Sequence, residues 1–457
     1  DTSGDSNDTR YKIGKQTLKF KDVIRKMGNK CKLFYIKSGA SGHTFKGCFT
    51  DTDSNDKINF AIKVVAYPKK DKYGSINDIK RPENAELLMI RLLSYFVVKR
   101  YTPHIILPIG TFNTDIENFT NLVEKKYISE DVKGYNRFLK RYKQNEYHNE
   151  VSILISEWAN KGDLLDYFRN EYDQPHFTLL KWKVIFFQIL SVLALIQHKF
   201  PAFRHNDFKA NNVLIHETLI NPDKQYHTYT ITNHKYHIPN IGVQIKLWDF
   251  DFACIPDWVD NIKVSCEETK EWRELHNISP AANRYYDIHY FFSTLIKNGF
   301  FPQIMTESCI PQEVKDFIDR VIPLKYRTPP YVGEKHGRIL TNEEYTIPNE
   351  IMQKDPFFHE FRVLPQHKRS SKNTAKIVKK ENTSISNGGT IKNKRRTSSK
   401  IKANQNNKLK DNSKENKEVK KNKNNTKRTS VKKTSKKSKT KFDLNDIDNI
   451  KLEDLLY

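Results

Sequence analysis

The chain of 457 residues has few of the features that mark a secreted or membrane-spanning protein. It contains no CxxC pair and no histidine–cysteine cluster, and its cysteines are only five: Cys31, Cys48, Cys254, Cys266 and Cys309. This argues against a disulfide framework or a zinc site and favours a reducing compartment. The most apolar run, residues 184–196, is too short to span a bilayer and predicts a buried helix. The first residues show no signal-peptide pattern, and we expect an intracellular protein.

Acidic residues are scarce in only one part of the chain. The net charge is +25, yet residues 367–441 hold 27 lysines and arginines against four acids, so the rest is nearly neutral. This stretch has almost no large apolar residues and predicts a disordered Lys-rich tail. The tail suits nucleic acid, anionic membrane or acidic proteins as partners, and a merely solvated tail or localisation signal is an equal alternative. Residues 442–457 restore acidic, amphipathic spacing and predict a short docking segment.

The rest of the chain changes from strand patterns to helix patterns. After a polar extension at residues 1–30, alternating runs predict strands, and one helix is predicted among them at residues 81–98. A charged segment, roughly 113–150, is interpreted as an insertion. Beyond residue 160 the patterns are helical, apart from the short strands VLI and IKLWDF, which a polar loop of about two dozen residues separates. This order predicts an α+β protein with a small β-rich lobe before a larger α-helical lobe.

Four polar residues beside those two short strands carry the chemistry. Asp207, Lys209 and Asn212 form the pattern D-x-K-x-x-N directly before VLI, and Asp249 follows the apolar strand IKLW. Phosphoryl transfer needs a carboxylate for the acceptor hydroxyl, a cation near the γ-phosphate and oxygen ligands for a metal. The sequence therefore predicts Asp207 and Lys209 as catalytic residues, and Asn212 and Asp249 as metal ligands.

These motifs resemble those of protein kinases. HNDFKANN resembles the catalytic loop H-R-D-L-x-x-x-N, WDFD resembles the metal motif D-F-G, and FAIKVV resembles the V-A-I-K strand. KSGASGHTF resembles the Gly-rich loop, with Gly39 and Gly42 in the second and third glycine places and Lys37 in the first. The resemblance implies binding of ATP and Mg²⁺, with Lys63 on the α- and β-phosphates.

The resemblance extends over residues 31–330. It implies a helix glutamate as the partner of Lys63, for which Glu86 fits best and Glu83 is the runner-up. ILISEWANKGDLLDYF resembles the hinge between kinase lobes. In that hinge, Ser156 would be the gatekeeper, Glu157 and Trp158 would offer backbone groups to adenine, and Asp163 could face the ribose. Asp287, in YYDIHYFF, resembles the helix aspartate that braces the catalytic loop.

Three departures from the kinase pattern leave alternatives open. Asn206 replaces the arginine that binds an activation-loop phosphate in many kinases, so switching by that route is not expected. Asp251 replaces the glycine of D-F-G, and no A-P-E follows. A small-molecule phosphotransferase of the choline or aminoglycoside kinase type shares the kinase core, and a pseudokinase scaffold acting through the tail is a further alternative. Lys209 is typical of Ser/Thr protein kinases and favours a protein substrate.

The sequence thus predicts an ATP-dependent Ser/Thr protein kinase, most similar to the divergent kinases of large nucleocytoplasmic DNA viruses. The predicted domains are the 1–30 extension, an N-lobe with hinge at 31–160, a C-lobe at 161–366, the tail at 367–441 and the segment 442–457. A viral source implies the host cytoplasm or the virion, and the basic tail also suits the nucleus.

Overall fold

A computed structural model describes residues 14–363, apart from 29, 39–41, 52–53, 130–131 and 334–336. The predictions for the Lys-rich tail and for residues 442–457 lie outside the described residues, as does Gly39. The described chain is a mixed α/β structure in which an antiparallel sheet comes first and helices follow.

The five-stranded sheet has the order β1-β2-β3-β5-β4, and each neighbouring pair is antiparallel. Its strands are β1 (Lys32–Ser38), β2 (Gly42–Thr50), β3 (Lys57–Pro68), β4 (Pro108–Asp115) and β5 (Tyr147–Glu157). Alternate side chains of β2 are buried, as expected for a strand with one face on a core. The central strands β3 and β5 instead carry nearly continuous buried runs, because both of their faces are covered.

Eleven α-helices occur in the described residues. They are α1 (Phe20–Met27), α2 (Pro82–Val98), α3 (Lys133–Lys143), α4 (Leu164–Glu171), α5 (Leu179–Lys199), α6 (Ile262–Ser265), α7 (Lys270–Leu275), α8 (Tyr286–Leu295), α9 (Gln303–Thr306), α10 (Gln312–Val321) and α11 (Pro348–Lys354). Pro82 stands in the first turn of α2, where a missing N–H costs nothing. The charged insertion contains α3, which packs its apolar face on the core of the sheet region.

Helix α5 is long and apolar enough by length and composition to cross a membrane. However, 83% of its most apolar 18-residue window is buried inside the protein. Its side chains form the centre of the larger hydrophobic core, where Trp182, Phe186 and Phe187 contact aromatic rings of neighbouring helices and strands. The helix is therefore accounted for as the core helix of the helical region, as its apolar run predicts.

The polar loop predicted between the two short strands contains a β-hairpin, so that part of the prediction was wrong. The strands of this part of the chain are β6 (Val213–Glu217), β7 (Tyr226–Ile231), β8 (His234–Pro239) and β9 (Val243–Leu247). β7 pairs with β8 through a two-residue turn at Thr232 and Asn233, both with positive φ. Tyr229 and Tyr236 bury their rings against Phe187 of α5, which explains why this polar-looking segment folds.

Strand β9 connects the helical region to the sheet region. The Leu247 N–H donates to the carbonyl of His104, and the Ile106 N–H donates to the carbonyl of Leu247. β9 also pairs with β6, which follows the candidate catalytic loop. The residues that follow β9, Asp249 among them, therefore lie close to both the sheet and the candidate catalytic loop.

Residues 14–18 attach to the sheet region through a buried lysine. The Asn113 N–H donates to the carbonyl of Gln16, and the Leu18 N–H donates to the carbonyl of Asn113. Although Lys15 is only half-buried as a residue, its ammonium lies among oxygens of α2, β3 and β5. It donates to Ser152 Oγ at 2.8 Å, to Asn84 Oδ1 at 3.3 Å and to the Tyr67 hydroxyl. Burial lowers the pKa of Lys15 to about 7 from 10.5.

This lysine should make stability depend on pH above neutrality. Between pH 7 and 10.5 the unfolded chain holds a proton on Lys15 that the folded chain has released, so raising the pH stabilises the fold. We expect the free energy of unfolding to rise by at most about 1.4 kcal/mol per pH unit from this group. The measurement is urea unfolding at pH 7.5 and 9.0, comparing the wild type with Lys15→Met, in which this part of the slope should vanish. Lys21→Met, at an exposed position on α1, is the matched control, and equal slopes in all three proteins would contradict the expectation.

Candidate active site

The predicted phosphate-binding lysine forms an ion triad with a buried glutamate and with an aspartate whose side chain is 35% exposed. Lys63 on β3 places Nζ at 2.5 Å from Glu86 Oε1 and at 2.8 Å from Asp249 Oδ1. The runner-up partner, Glu83, instead accepts from Arg81 Nε at 2.9 Å. Both glutamates are on α2 and share nearly one face, but Arg81 pairs with Glu83 and leaves Glu86 for Lys63. The structure therefore brings Lys63 to Glu86 rather than to Glu83.

The triad keeps Lys63 and Asp249 charged. Burial alone would raise the pKa of Asp249, but the Lys63 ammonium outweighs burial and lowers this pKa to about 2. Burial alone would lower the pKa of Lys63, and the two carboxylates reverse this effect and raise it. For Glu86, burial outweighs Lys63 and raises the pKa to about 7. Asp249 has a φ of 62° at the end of β9, so the chain turns there and directs this carboxylate to the triad.

The D-x-K-x-x-N residues converge on the carboxylate of Asp207. Its Oδ2 accepts from Lys209 Nζ at 2.8 Å and from Asn212 Nδ2 at 3.0 Å. Asn212 Nδ2 also donates to the Asp207 carbonyl at 2.8 Å, which closes the loop before β6. Because the amide nitrogen of Asn212 is engaged in this way, its amide oxygen is left for a cation.

Asp287 on α8 binds the backbone of the loop that carries Asp207, as the resemblance implied. Its two carboxylate oxygens accept from the backbone N–H groups of His205, at 2.8 Å, and Asn206, at 3.0 Å. His205 is fully buried and its Nε2 lies 3.1 Å from the Trp248 carbonyl, so it packs the loop against the turn that precedes Asp249. The loop and the metal motif are thus held in one block.

A cavity of about 380 Å³ lies between the sheet and this block. Its lining includes most of the predicted site residues: Gly42, Lys63, Glu157, Trp158, Asp163, Asn212 and Asp249. Ser156, the predicted gatekeeper, and Trp248 also line it. Gly42 has a steric reason to be glycine, because a Cβ there would lie 1.8 Å from the Val64 carbonyl oxygen of β3. The glycine permits this close approach of two strands at the cavity wall.

The hinge residues are arranged less simply than the resemblance implied. The Glu157 N–H donates to the Leu107 carbonyl at 3.0 Å, and its side chain binds Lys246 at 2.9 Å. The Glu157 N–H is therefore not available to a ligand, and its carbonyl already accepts from the Ser156 hydroxyl at 3.4 Å. Asp163 caps α4 by accepting from the Asp166 N–H, and it lies 3.8 Å from Lys37 Nζ. Lys37, in the place of the first loop glycine, thus reaches across the cavity mouth.

Asn206 and Arg204 secure the segment after the metal motif with uncharged acceptors. Asn206 has a φ of 61°, a conformation that asparagine tolerates well, and its Nδ2 donates to the carbonyls of Phe252 and Ser279. Arg204 is fully buried and donates to the Ser279 hydroxyl and to the carbonyls of Asn277 and Ala281. This segment is therefore held without a phosphate at the position where many kinases use one.

Asp251, the second carboxylate of WDFD, does not join the triad. It forms an ion pair with Lys263 of α6, and its carbonyl accepts from Asn261 Nδ2 at 2.9 Å. The Ile262 N–H donates to the carbonyl of Lys80, just before α2. The residue in the place of the D-F-G glycine therefore links the metal motif to the segment that follows it and, through that segment, to the start of α2.

The residues present fit a magnesium ion in its usual role beside nucleotide phosphates. In the described residues no cluster of three or more histidine, cysteine or acidic side chains is suited to a metal. Mg²⁺ at phosphate sites is held by one or two protein oxygens, with phosphates and water completing its shell. The Asp249 carboxylate and the Asn212 amide oxygen, which line one cavity, supply that donor set.

The antiparallel sheet and the helices that follow it are consistent with a protein-kinase-like fold. The protein named "Putative serine/threonine-protein kinase R400" of Acanthamoeba polyphaga mimivirus is 48% identical over 369 residues, covering 80% of this chain and 76% of its own length. A second mimivirus protein, "Putative serine/threonine-protein kinase R301", is 25% identical over 44% of this chain and 56% of its own. No protein-family profile matches the chain. The chain belongs to the serine/threonine-protein kinase family of the large DNA virus type.

Two features of the site were not foreseen from the sequence. One is Arg338, whose Nη2 donates to Asp207 Oδ1 at 2.8 Å from 131 residues further along the chain. The other is the Lys37–Asp163 contact across the cavity mouth. Neither has a local pattern, since each depends on two segments that only the folded chain brings together.

Proposed function

We propose that this protein is an ATP-dependent kinase that transfers the γ-phosphoryl group of Mg-ATP to serine or threonine hydroxyls of proteins. The observation that carries the proposal is that two groups of charged and polar residues reach the same cavity. Lys63 and Asp249 of the Lys63–Glu86–Asp249 triad line this cavity, and so does Asn212, which joins it to Asp207 and Lys209.

The chain's own residues divide the reaction among them. Lys63 binds the α- and β-phosphates, with Glu86 holding its ammonium in place. Asp207 orients the acceptor hydroxyl and receives its proton as the oxygen bonds to the γ-phosphorus and the bond to ADP breaks. Lys209 neutralises charge on the transferring group. Asp249 and Asn212 hold Mg²⁺, which when bound offsets the charge of the phosphates.

The site's contacts support this proposal over the two alternatives. A scaffold would not need the Lys63 ammonium and its two carboxylates, because apolar residues often pack as well as a buried ion pair. A small-molecule phosphotransferase would share Asp207 and Asp249, but Lys209, at 2.8 Å from Asp207, is the Ser/Thr kinase feature. The mimivirus relative at 48% identity is also named for a protein substrate class.

A side-by-side transfer assay tests the proposal. With γ-labelled ATP and Mg²⁺, we expect the full chain to label casein or a basic protein such as histone, and to leave choline and aminoglycosides unlabelled. Mg-ATP should also raise the Tm of the wild type, and this shift should be lost in Lys63→Ala and Asp249→Ala. Labelling only of a small molecule would support the phosphotransferase alternative, and no labelling together with no Tm shift would support the scaffold.

A further inference from the structure

Arg338 is a buried arginine whose guanidinium contacts the predicted catalytic carboxylate. It lies in the segment between α10 and α11, and its side chain is only 8% exposed. Nη2 donates to Asp207 Oδ1 at 2.8 Å. Nη1 donates to the Tyr286 hydroxyl at 2.8 Å and to the carbonyl of Asn206. The guanidinium also lies 4.0 Å from the centre of the Tyr290 ring, within the range of a cation–π contact.

Backbone hydrogen bonds also fix the position of Arg338 and its neighbours. Gly333 donates to the Arg338 carbonyl, and Leu340 donates to the carbonyl of Tyr331. Ile339 is fully buried, and its carbonyl accepts from Asn277 Nδ2 at 3.0 Å. The arginine therefore has a built position and is not a surface side chain that happens to reach the loop.

Arg338 completes the set of donors around Asp207. Lys209 and Asn212 occupy Oδ2, and Arg338 occupies Oδ1, so both carboxylate oxygens have directed partners. The same guanidinium joins the backbone of Asn206 to the Tyr286 hydroxyl of α8. These contacts fix both the rotation of the carboxylate and the distance of its loop from α8. Oδ1, which has one donor against two on Oδ2, keeps a lone pair for a hydroxyl.

We propose that Arg338 is a positioning residue of the phosphotransfer site, which holds the Asp207 carboxylate in the orientation that receives the acceptor hydroxyl. This inference rests on the proposed kinase function. In the opposite role Arg338 would inhibit the site by blocking Asp207, and it would have to move away before transfer could occur. Its contacts to Asn206, Tyr286 and Tyr290 hold it independently of Asp207, so the geometry favours a fixed support over this inhibitory role.

The test compares three single variants of the full chain in steady-state transfer of label from Mg-ATP. Arg338→Met removes the charge at similar volume, Arg338→Lys keeps the charge without the fork, and Arg284→Met is the matched control. Arg284, just before α8, also contacts the segment that contains Arg338, through an ion pair with Glu344 at 2.6 Å, but it does not contact Asp207. We expect kcat to fall about 10²-fold in Arg338→Met, as for small misplacements of a reacting group, with KM for ATP nearly unchanged. Arg338→Lys should recover part of kcat, and Arg284→Met should resemble the wild type.

A double-mutant cycle and chemical rescue separate positioning from folding. In an Asp207→Asn background, Arg338→Met should reduce the residual rate little further, because the group that it orients is already lost. Millimolar methylguanidine should restore part of kcat to a further variant, Arg338→Ala, whose short side chain leaves room for it, whereas NaCl of equal ionic strength should not. Unchanged kcat in a folded Arg338→Met, a rise in kcat, or additive losses in the cycle would each overturn the inference. If the wild type itself transfers no label, the kinase proposal fails and this inference falls with it, a result distinct from equal rates in active proteins.

Discussion

Replacing Asp207 by asparagine should reduce kcat by about 10²–10⁴-fold, the range for loss of a general base, while KM for ATP stays within about threefold. The amide keeps the shape of the side chain but cannot take a proton from the acceptor hydroxyl. Lys209 and Arg338 would also lose the carboxylate that both now contact at 2.8 Å. ATP binding should persist because Asp207 is not among the residues that line the 380 Å³ cavity. Initial rates of label transfer at varied ATP give both constants.

The matched control for this variant is Asp223→Asn. Asp223 is exposed in the loop before β7, and its change to asparagine should leave both constants unchanged. Circular dichroism and Tm would show whether Asp207→Asn remains folded. Transfer by Asp207→Asn at the wild-type rate would contradict the role assigned to Asp207, whatever the identity of the acceptor.

Local patterns were sufficient to predict the elements that carry the site. Alternation identified the strand of Lys63, helical spacing identified α2, and the short apolar strands located Asp207 and Asp249. Helical spacing alone did not separate Glu83 from Glu86, because residues three apart share nearly the same face. The structure separates them because Arg81 takes Glu83, leaving Glu86 for Lys63.

What the sequence did not predict depends on contacts between distant segments. The β7–β8 hairpin looked like a polar loop because its buried tyrosines are held by α5, some forty residues earlier. Arg338 gives no local signal, since an arginine after His336 and Gly337 is unremarkable until the chain folds beside Asp207. In the sequence Asp251 is a second carboxylate in the place of the D-F-G glycine, and only its pairing with Lys263 shows where its charge is used.

Lys63→Met should cause the largest combined loss of stability and activity. Methionine fills a similar volume but leaves the buried Glu86 and the partly exposed Asp249 without their shared cation. Breaking a buried ion pair from one side costs about 3–5 kcal/mol of unfolding free energy. Phosphate binding would be lost with the ammonium, so transfer should fall at least about 10²-fold. Urea unfolding and steady-state transfer measure the two effects on the same protein.

The double variant Lys63→Met/Glu86→Gln separates the electrostatic cost from the catalytic one. Glutamine cannot ionise, so it removes the cost of keeping the buried Glu86 carboxyl without its cation. Part of the lost stability should therefore return, and the two changes should be strongly non-additive. Activity should not return, because no cation remains to hold the α- and β-phosphates. Lys183→Met is the matched control, since its ion pair with Glu360 at 3.0 Å lies outside the cavity lining and the Glu360 side chain is 52% exposed. It should cost less than about 1 kcal/mol and leave transfer intact. Recovery of transfer in the double variant, or additive losses of stability, would show that the triad does not work as the shared charge centre of the site.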